Sequence, residues 1–491
     1  MKFKVKDMDI ATGGILVAIL NQKDAKKLDL HYGDRLLVSD GKPITCILDI
    51  SESHKAVPPG SVGLFEEVLD KLGVKGGDEV EVTLTGKPES LKHIRSKLFG
   101  KELGYKELYH IMDDITHDRL TDIEKTYFVS GGFINEWSVN EVVQMTKAIV
   151  DTGNRLNFGK MILDKHCIGG VPGNRTTMAV VPIVAAAGFK VPKTSSRAIT
   201  SPAGTADTME CLANVELTEK EVKTVVKKTG ACIVHGGSMN LAPADDKIIK
   251  VEHPLSIDPE GQLLASVMAK KYSVSASHVL IDIPMGRTVK ATNRTEAMHL
   301  KKMFELVGKR LGMEISVIIT DGSQPIGNGV GPLLEAMDVL AVLRNEPKAP
   351  QDLREKVVKL AGLMLEMTDR YKKGSGIKAA EEILSSGKAI KKMHEIIDAQ
   401  GRQKMPFLGE HRYLVHSKHP GKIREINNEI IAKAARVAGA PEDKGSGLYL
   451  HRKVGDSVKK NELLYTIYAE SQFKLKEAKS FISENNGYAL K

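Results

Sequence analysis

The chain has few aromatic residues and few cysteines, and both scarcities exclude classes of function. Aromatic side chains make up 5% of its 491 residues, and no basic run carries the interleaved aromatics on which single-stranded nucleic acid stacks. Its four cysteines show no Cys-x-x-Cys spacing and follow no secretory signal, which argues against a zinc site and against a disulfide framework. We therefore expect a cytoplasmic protein that does not bind nucleic acid.

Long apolar runs are also missing. The longest, residues 178–189, contains Pro182 and is shorter than the roughly 18 to 20 residues that a membrane-spanning helix needs, so no membrane association is expected. Hydrophobic residues at 42% and charged residues at 27% are typical of a globular protein, and the length predicts several domains. The formal net charge of +9 favours an anionic ligand.

An internal repeat lies in the amino-terminal region, where KLDLHYGDRLLV (27–38) and KLGVKGGDEVEV (71–82) share Lys-Leu, Gly-Asp and a closing valine in register. Each half predicts a short helix ending at a leucine, a Gly-Asp turn and an alternating strand. The repeat resembles the double-psi β-barrel of the amino-terminal domains in the AAA ATPase family related to valosin-containing protein. We interpret residues 1–86 as an accessory β-barrel.

The remaining pattern predicts an α/β fold with three further parts. A small helical domain is predicted at 87–155, with a capping box from Ser138 to Glu141, and is rejoined by about 245–275. Strands are predicted at 191–196, 278–286 and 315–322, and a helix is predicted at 296–311. They indicate an α/β phosphate-binding domain that comprises 156–244 and 276–400 and has a central mixed sheet. Residues 401–491 predict an α+β module that serves packing or assembly. Its segment 451–470 resembles the biotinyl and lipoyl barrel-sandwich hairpin, but it lacks the Met-Lys tip that carries the cofactor in that family.

The chemistry-bearing stretch is residues 164–210. Two runs, KHCIGGVPGNRTT (165–177) and SSRAITSPAGTADTME (195–210), flank one apolar segment. Glycines allow a backbone to approach a ligand, hydroxyls and helix-start N–H groups donate to phosphate oxygens, and Lys165, Arg175 and Arg197 supply positive charge. The order of loop, helix, strand and loop predicts an anion-binding floor beyond the strand ends of an α/β sheet.

Five motifs in order resemble one family: KHCIGGVPGN, SSRAITSPAGTADTME, MNLAPADDK (239–247), SIDPEGQLLASVMAKK (256–271) and GAPEDKGSG (439–447). Together they are similar to the thymidine and pyrimidine-nucleoside phosphorylases. The chain resembles the archaeal branch of that family, the AMP phosphorylases, in three features: the added barrel, Pro172 and the SRAITS motif. The resemblance implies that AMP and inorganic phosphate give adenine and ribose 1,5-bisphosphate, with CMP and UMP as further candidate substrates. It implies no metal and no cofactor. Inorganic phosphate takes part in the reaction as a co-substrate.

For the attacking phosphate, the resemblance implies the ligands Lys165, Cys167, Thr177, Ser196 and Thr205. Cys167 departs from the usual serine, and since a thiol is the weaker donor, its contact is expected to pass to backbone N–H groups around Gly169 and Gly170. Any one of these hydroxyl residues alone would be interpreted as a helix cap or a turn.

For the leaving base, the resemblance favours Asp258 as the general acid, which requires a raised carboxyl pKa. Asp258 followed by Pro259 is also good turn chemistry. His166 is the rival acid and otherwise a ribose or base contact.

The AMP site is expected to include a second anion subsite for the 5′-phosphate. Ser266 and, as a secondary candidate, Lys270 lie four apart on one predicted helix face near the base, while Arg197 with Thr200 and Ser201 would hold the 5′-phosphate. The full AMP-binding set is Gly170, Ser196, Arg197, Ala198, Ile199, Thr200, Ser201, Thr205, Ser266 and Lys290. Glu252 and His253 stand where nucleoside enzymes carry an arginine for the pyrimidine, which weakens thymidine or uridine as substrate.

Three alternatives stay open at this point. A thymidine or pyrimidine-nucleoside phosphorylase would use the same floor, an anthranilate phosphoribosyltransferase-like enzyme would need magnesium, and a non-catalytic assembly protein would use the barrel and the terminal hairpin for contacts. The family's dimerisation through helical domains implies a homodimer or a larger homo-oligomer. Because the phosphate residues and Asp258 fall in different predicted domains, we also expect domain closure.

Overall fold

A computed structural model of the chain describes residues 1–199, 201–255, 257 and 259–491, apart from the side chain of His253. The chain divides into two compact units. The first comprises Met1–Thr152 and Ala244–Gln262, and the second comprises Gly153–Pro243 and Leu263–Lys491. None of the described helices is both long enough and apolar enough to cross a membrane.

The elements are numbered along the chain. The strands are β1 (Lys2–Asp7), β2 (Val17–Asn21), β3 (Arg35–Asp40), β4 (Lys42–Ser51), β5 (Ser61–Leu64), β6 (Glu79–Leu84), β7 (Leu163–Cys167), β8 (Val191–Ser195), β9 (Ala231–His235), β10 (His278–Met285), β11 (Glu314–Asp321), β12 (Gly329–Val330), β13 (His411–His416), β14 (Gly421–Ile426), β15 (Gly447–Leu450), β16 (Ser457–Val458), β17 (Leu463–Ala469) and β18 (Tyr488–Leu490). The helices are α1 (Gln22–Lys27), α2 (Glu66–Leu72), α3 (Ser90–Leu98), α4 (Tyr105–Thr116), α5 (Asp122–Ile134), α6 (Val139–Asp151), α7 (Thr176–Ala186), α8 (Thr205–Glu210), α9 (Glu219–Thr229), α10 (Pro243–Leu255), α11 (Glu260–Tyr272), α12 (Arg294–Arg310), α13 (Pro332–Leu343), α14 (Gln351–Glu366), α15 (Gly376–Ser385), α16 (Lys388–Gln400), α17 (Asn428–Val437) and α18 (Gln472–Glu484).

The first unit begins with a closed six-stranded barrel in the order β1-β5-β2-β4-β3-β6, as the repeat predicted. In each half a short helix is followed by a glycine with positive φ, Gly33 at 84° and Gly77 at 99°. The aspartate after each glycine closes the turn, because Asp34 and Asp78 accept backbone N–H groups three residues upstream at 2.6 and 2.9 Å. The strands that follow, β3 and β6, pair with each other antiparallel.

Helices make up the rest of the first unit. The predicted capping box at the start of α6 is confirmed, since the Ser138 hydroxyl accepts from the Glu141 N–H and the Glu141 carboxylate accepts from the Ser138 N–H. The return to this unit spans 244–262, so Ser266 lies in the second unit. The sequence expected it in the returning helical segment. The other predicted domain boundaries stay predictions.

The α/β part of the second unit contains the predicted helix and strands. β7, β10 and β11 form a sheet in the order β11-β10-β7, and β8 pairs with β9. The predicted mixed sheet is wrong, because every pairing described for these five strands is parallel. Helical crossovers between successive strands produce this arrangement. α7 is buried from Thr176 to Ala185, as expected for a helix that is apolar on all sides.

The carboxyl-terminal part is antiparallel, with sheets β12-β15-β17-β13 and β16-β14-β18. A Gly-Asp turn lies within segment 451–470, where Gly455 has a φ of 97° and Asp456 accepts the Lys453 N–H at 2.8 Å. The predicted hairpin across it is wrong. β16 pairs with β14 and β17 pairs with β13 and β15, so the turn carries the chain from one sheet to the other.

Candidate active site

A buried lysine pair lies beneath the first predicted phosphate loop. Lys165 of β7 is fully buried, and its Nζ donates to the Thr176 hydroxyl at 2.8 Å and lies 3.6 Å from an Asp282 carboxylate oxygen. Asp282 comes from β10, which runs parallel beside β7. The Nζ of Lys356 in α14 reaches the same carboxylate oxygen at 3.1 Å, and Thr320 donates to the other oxygen at 2.6 Å.

Two lysine side chains approach the single carboxylate of Asp282. Burial lowers the pKa of Lys165, and the nearby Asp282 opposes that shift. Burial alone would raise the pKa of Asp282, but Lys165 and Lys356 hold it below its usual range. Two lysines that share one buried carboxylate favour an anion nearby, since an anion stabilises their charged forms.

The start of α7 links this pair to the loop. Thr176 accepts from Lys165 and donates to the Asn174 side-chain oxygen at 3.1 Å, while the Asn174 amide donates to the Cys167 sulfur at 3.2 Å. Burial raises the pKa of the Cys167 thiol, so this group stays protonated and is a weak donor. The sequence selected Thr177, a buried neighbour, and missed Thr176.

Arg175 ties the two predicted loops together. Its guanidinium donates to the Thr205 hydroxyl at 3.0 Å and to the Ala203 carbonyl oxygen at 2.8 Å, and it pairs with the fully buried Glu335 of α13. Burial raises the pKa of Glu335 although Arg175 acts in the opposite direction. The predicted phosphate ligand Thr205 is therefore brought to the entrance of α7. The Arg175 side chain is 12% exposed and therefore does not face water.

Arg197 is engaged by carboxylates. Its two terminal nitrogens donate to Glu210 at 2.9 and 2.7 Å, and one of them also donates to Glu216 at 2.6 Å. The Arg197 guanidinium, assisted by Lys444, lowers the pKa of Glu210 to about 2. In this arrangement the guanidinium fork holds the protein's own side chains, and its predicted role on a 5′-phosphate stays a prediction.

The backbone around Arg197 also makes hydrogen bonds within the loop. Asp207 accepts the N–H groups of Ala198 at 2.7 Å and Gly204 at 2.8 Å. A Cβ on Gly204 would lie 2.7 Å from the Ser196 carbonyl oxygen, so glycine is needed where the loop folds on itself. The predicted ligands Ser196, Ile199 and Ser201 are exposed, and Thr200 lies outside the described residues.

His166 lies over a second buried charge cluster. The Asp164 carboxylate pairs with Lys271 at 2.8 Å and with Lys193 at 3.3 Å, and all three side chains are buried. Burial and the surrounding lysines, Lys271 first, hold the pKa of His166 well below its usual value. The imidazole is therefore neutral at pH 7, which disfavours it as the proton donor. The favoured acid, Asp258, lies outside the described residues.

The predicted base contacts lie together on α11. Lys270 donates to the Ser266 hydroxyl at 3.2 Å, which confirms that the two side chains share one helix face. Within the described residues, no group of three His, Cys, Asp or Glu side chains is arranged to hold a metal ion.

A cavity of about 570 Å³ adjoins the first loop, and we call it the α17 cavity. Its lining includes Gly170, Arg175, Ser201 and Lys290, together with residues of α17. Gly170 has a φ of 91°, and a Cβ there would lie 3.0 Å from the Val289 Cα. Glycine therefore allows the loop to approach the chain that carries the exposed Lys290.

Several residues of these clusters escaped sequence interpretation: Lys193, Lys271, Asp282, Thr320, Glu335 and Lys356. One signal was available for Asp282, because a single charged residue interrupts the apolar strand pattern VLIDIPM. The others stand in ordinary amphipathic helices or polar positions, and only the fold brings them to the site.

Comparison with known proteins supports an enzyme site. Residues 159–390 match the family model of the glycosyl transferase family, a/b domain, and residues 422–489 match the pyrimidine nucleoside phosphorylase C-terminal domain. A putative thymidine phosphorylase of Legionella pneumophila strain Paris is 46% identical over 450 residues, which are 91% of this chain and 86% of that protein. The AMP phosphorylase of Pyrococcus furiosus is 45% identical over 485 residues, which are 97% and 95% of the two chains.

The fold also matches a solved structure. Anthranilate phosphoribosyltransferase from Thermus thermophilus superposes with a TM-score of 0.54 at 18% identity, covering 62% of this chain and 98% of that chain. At that identity the likeness concerns the fold alone.

Proposed function

The chain belongs to the glycosyl transferase family that includes the thymidine and AMP phosphorylases, and we propose that it is an AMP phosphorylase. It would cleave the N-glycosidic bond of nucleoside 5′-monophosphates with inorganic phosphate. For AMP the products are adenine and ribose 1,5-bisphosphate, and CMP and UMP are further candidate substrates.

The observation that carries the proposal is the presence of two cationic regions in the second unit of the chain. A nucleoside phosphorylase needs one anion site, for the attacking phosphate, whereas a nucleotide brings a second phosphate. The buried pair Lys165 and Lys356 suits the first anion. The α17 cavity, with Lys290 on its rim, offers positive charge for the second.

Each region has a part in the proposed reaction. Phosphate held by Lys165 and by the hydroxyls of Thr177 and Thr205 attacks the anomeric carbon, forming a C–O bond as the bond to the base breaks. The electron pair of that bond goes to the base, and a proton from Asp258 neutralises a ring nitrogen. Neutral His166 would contact the ribose or the base. The buried lysines hold charge in place before the reaction, so little reorganisation accompanies it.

A phosphate-dependent assay across AMP, CMP, UMP and their nucleosides tests the assignment. We expect kcat/KM for AMP to exceed that for adenosine and uridine by about 100-fold, because charge-assisted contacts to the 5′-phosphate are lost with a nucleoside. Activity should survive excess chelator, which would separate this enzyme from one that needs magnesium. Equal efficiency for a nucleoside would instead make it a pyrimidine-nucleoside or thymidine phosphorylase.

The acid is tested separately with Asp258→Asn. We expect kcat to fall about 10²- to 10⁴-fold with AMP, because general acid catalysis contributes that range. His166→Gln should retain the shape of the pH–rate profile. Glu260→Gln, which removes a neighbouring exposed carboxylate, is the matched control. Unchanged turnover in Asp258→Asn would exclude the aspartate as the acid.

A further inference from the structure

One face of α17 lines the α17 cavity. Glu429, Ala432, Lys433 and Arg436 are the lining residues from this helix, and their spacing of three and four places them on a single helix face. The helix belongs to the part of the chain that matches the C-terminal domain of pyrimidine nucleoside phosphorylases. Ala432, with its short side chain, leaves room between the longer ones.

The charge on the cavity wall is positive. Besides the ion pair of Arg175 and Glu335, the lining includes three cationic side chains, Lys290, Lys433 and Arg436, and the carboxylate of Glu429. All four of these side chains are exposed, so they can adjust to a ligand. Lys433 currently places its Nζ 5.1 Å from the Phe481 ring centroid, and its flexible stem allows another orientation.

A buried polar group at the same wall has unused capacity. Asn428 is 1% exposed, and its amide nitrogen donates to the Gly322 carbonyl oxygen at 2.8 Å and to the Thr288 hydroxyl at 3.2 Å. These contacts fix the orientation of the amide, because only the nitrogen can donate to a carbonyl. The Asn428 Oδ1 has no hydrogen-bond partner among the described residues. Because buried acceptors are nearly always hydrogen-bonded, we expect a ligand or a water to donate to this atom.

We propose that Lys433 and Arg436 of α17 complete the subsite for the substrate's 5′-phosphate, together with Lys290 and Ser201, which line the same cavity. The cavity volume of about 570 Å³ falls within the range of roughly 300 to 1,000 Å³ for small-molecule sites. The inference rests on the proposed nucleotide substrate. It makes the carboxyl-terminal module a determinant of substrate choice, beyond the packing or assembly role that its sequence suggested.

The test uses the full-length variants Lys433→Gln, Arg436→Gln and the double variant. We expect kcat/KM for AMP to fall about tenfold for each lost cation, in line with hydrogen bonds to charged groups. The values for adenosine and the KM for inorganic phosphate should stay unchanged, because neither involves the 5′-phosphate. Arg424→Gln, an exposed arginine of β14 in the same module, is the matched control and should leave every parameter unchanged.

A binding measurement supplies a readout that does not depend on turnover. Ribose 5-phosphate should raise the melting temperature of the wild-type protein and of Arg424→Gln, and the rise should be lost in the double variant. Equal losses for AMP and adenosine would show that α17 acts only through stability, and unchanged AMP kinetics would exclude the subsite. If the wild type cleaves adenosine as efficiently as AMP, both the proposed function and this inference fail. If the wild type prefers AMP and the double variant keeps that preference, only this inference fails.

Discussion

The two cationic regions of the second unit differ in burial. Lys165 and Lys356 are enclosed around Asp282, so their positions are held before any ligand arrives. Lys290, Lys433 and Arg436 line the α17 cavity on exposed side chains, which lose conformational entropy when they order around a ligand. The first region is preorganised and the second is adaptable.

Under the proposed function, this difference would separate the residues that act on the reacting phosphate from those that select the substrate. A preorganised charge acts on the reacting phosphate with little reorganisation, and phosphorolysis of a nucleoside or a nucleotide needs it equally. Exposed cations contribute less energy each, because solvent screens them, but they can discriminate between substrates that differ by one phosphate. Variants of the buried region should therefore affect all substrates, and variants of the cavity should affect nucleotides alone.

The largest effect is expected at Arg175, which lines the α17 cavity and donates to Thr205. Arg175→Met leaves the fully buried Glu335 without its partner, and breaking a buried ion pair from one side costs about 3 to 5 kcal/mol. Urea unfolding followed by circular dichroism should show the loss as a lower midpoint. Adding Glu335→Gln should recover much of the loss. A midpoint equal to that of the wild type would mean that the pair contributes nothing to stability.

Lys165→Met tests the preorganised region directly. The substitution keeps the apolar stem and removes the charge, and by analogy with the loss of one preorganised donor we expect kcat/KM to fall about 10²- to 10³-fold. The fall should be the same for AMP and adenosine. Lys160→Met, at an exposed position just before β7, is the control for loss of a lysine. A fall confined to AMP would contradict the separation of the two regions.

The sequence predicted the local elements well because their signals are local. The Gly-Asp turns of the repeat, the capping box at Ser138 and the buried helix α7 each depend on neighbouring residues. The pairing of Lys165 with Asp282 and Lys356 joins three distant segments, which no local pattern encodes. Arg197 shows a different limit, since a guanidinium fork suits a phosphate and a carboxylate equally.

Arg197→Gln distinguishes those two partners. If Arg197 holds the loop through Glu210 and Glu216, the variant should lower kcat/KM for AMP and adenosine alike, by about tenfold, as expected for lost charge-assisted hydrogen bonds. Steady-state kinetics with both substrates measure this. A loss for AMP alone would instead restore the sequence prediction that Arg197 binds the 5′-phosphate, and it would move that subsite away from α17.

The same ion pair predicts a dependence of stability on pH. Arg197 lowers the pKa of Glu210 from 4.5 to about 2, so the folded state favours the ionised carboxyl. The stabilisation is complete above the unfolded pKa near 4.5 and is lost as pH falls toward 2. Because both side chains are partly exposed to solvent, the effect should be well below that of a buried pair. Unfolding midpoints between these pH values should fall less steeply in Arg197→Gln than in the wild type, and parallel slopes would contradict this.

The smallest effect is expected from Cys167→Ser. The hydroxyl is a stronger donor than the thiol that now accepts from Asn174, so the KM for inorganic phosphate should fall about two- to fivefold if the side chain faces the attacking anion. The ratio of AMP to adenosine efficiency should not change, because Cys167 precedes the loop at the buried lysine pair and does not line the α17 cavity. A changed ratio of AMP to adenosine efficiency, with an unchanged KM for inorganic phosphate, would contradict the assignment of the two anion sites. It would mean that the 5′-phosphate of the substrate, and not the attacking phosphate, binds beside Lys165.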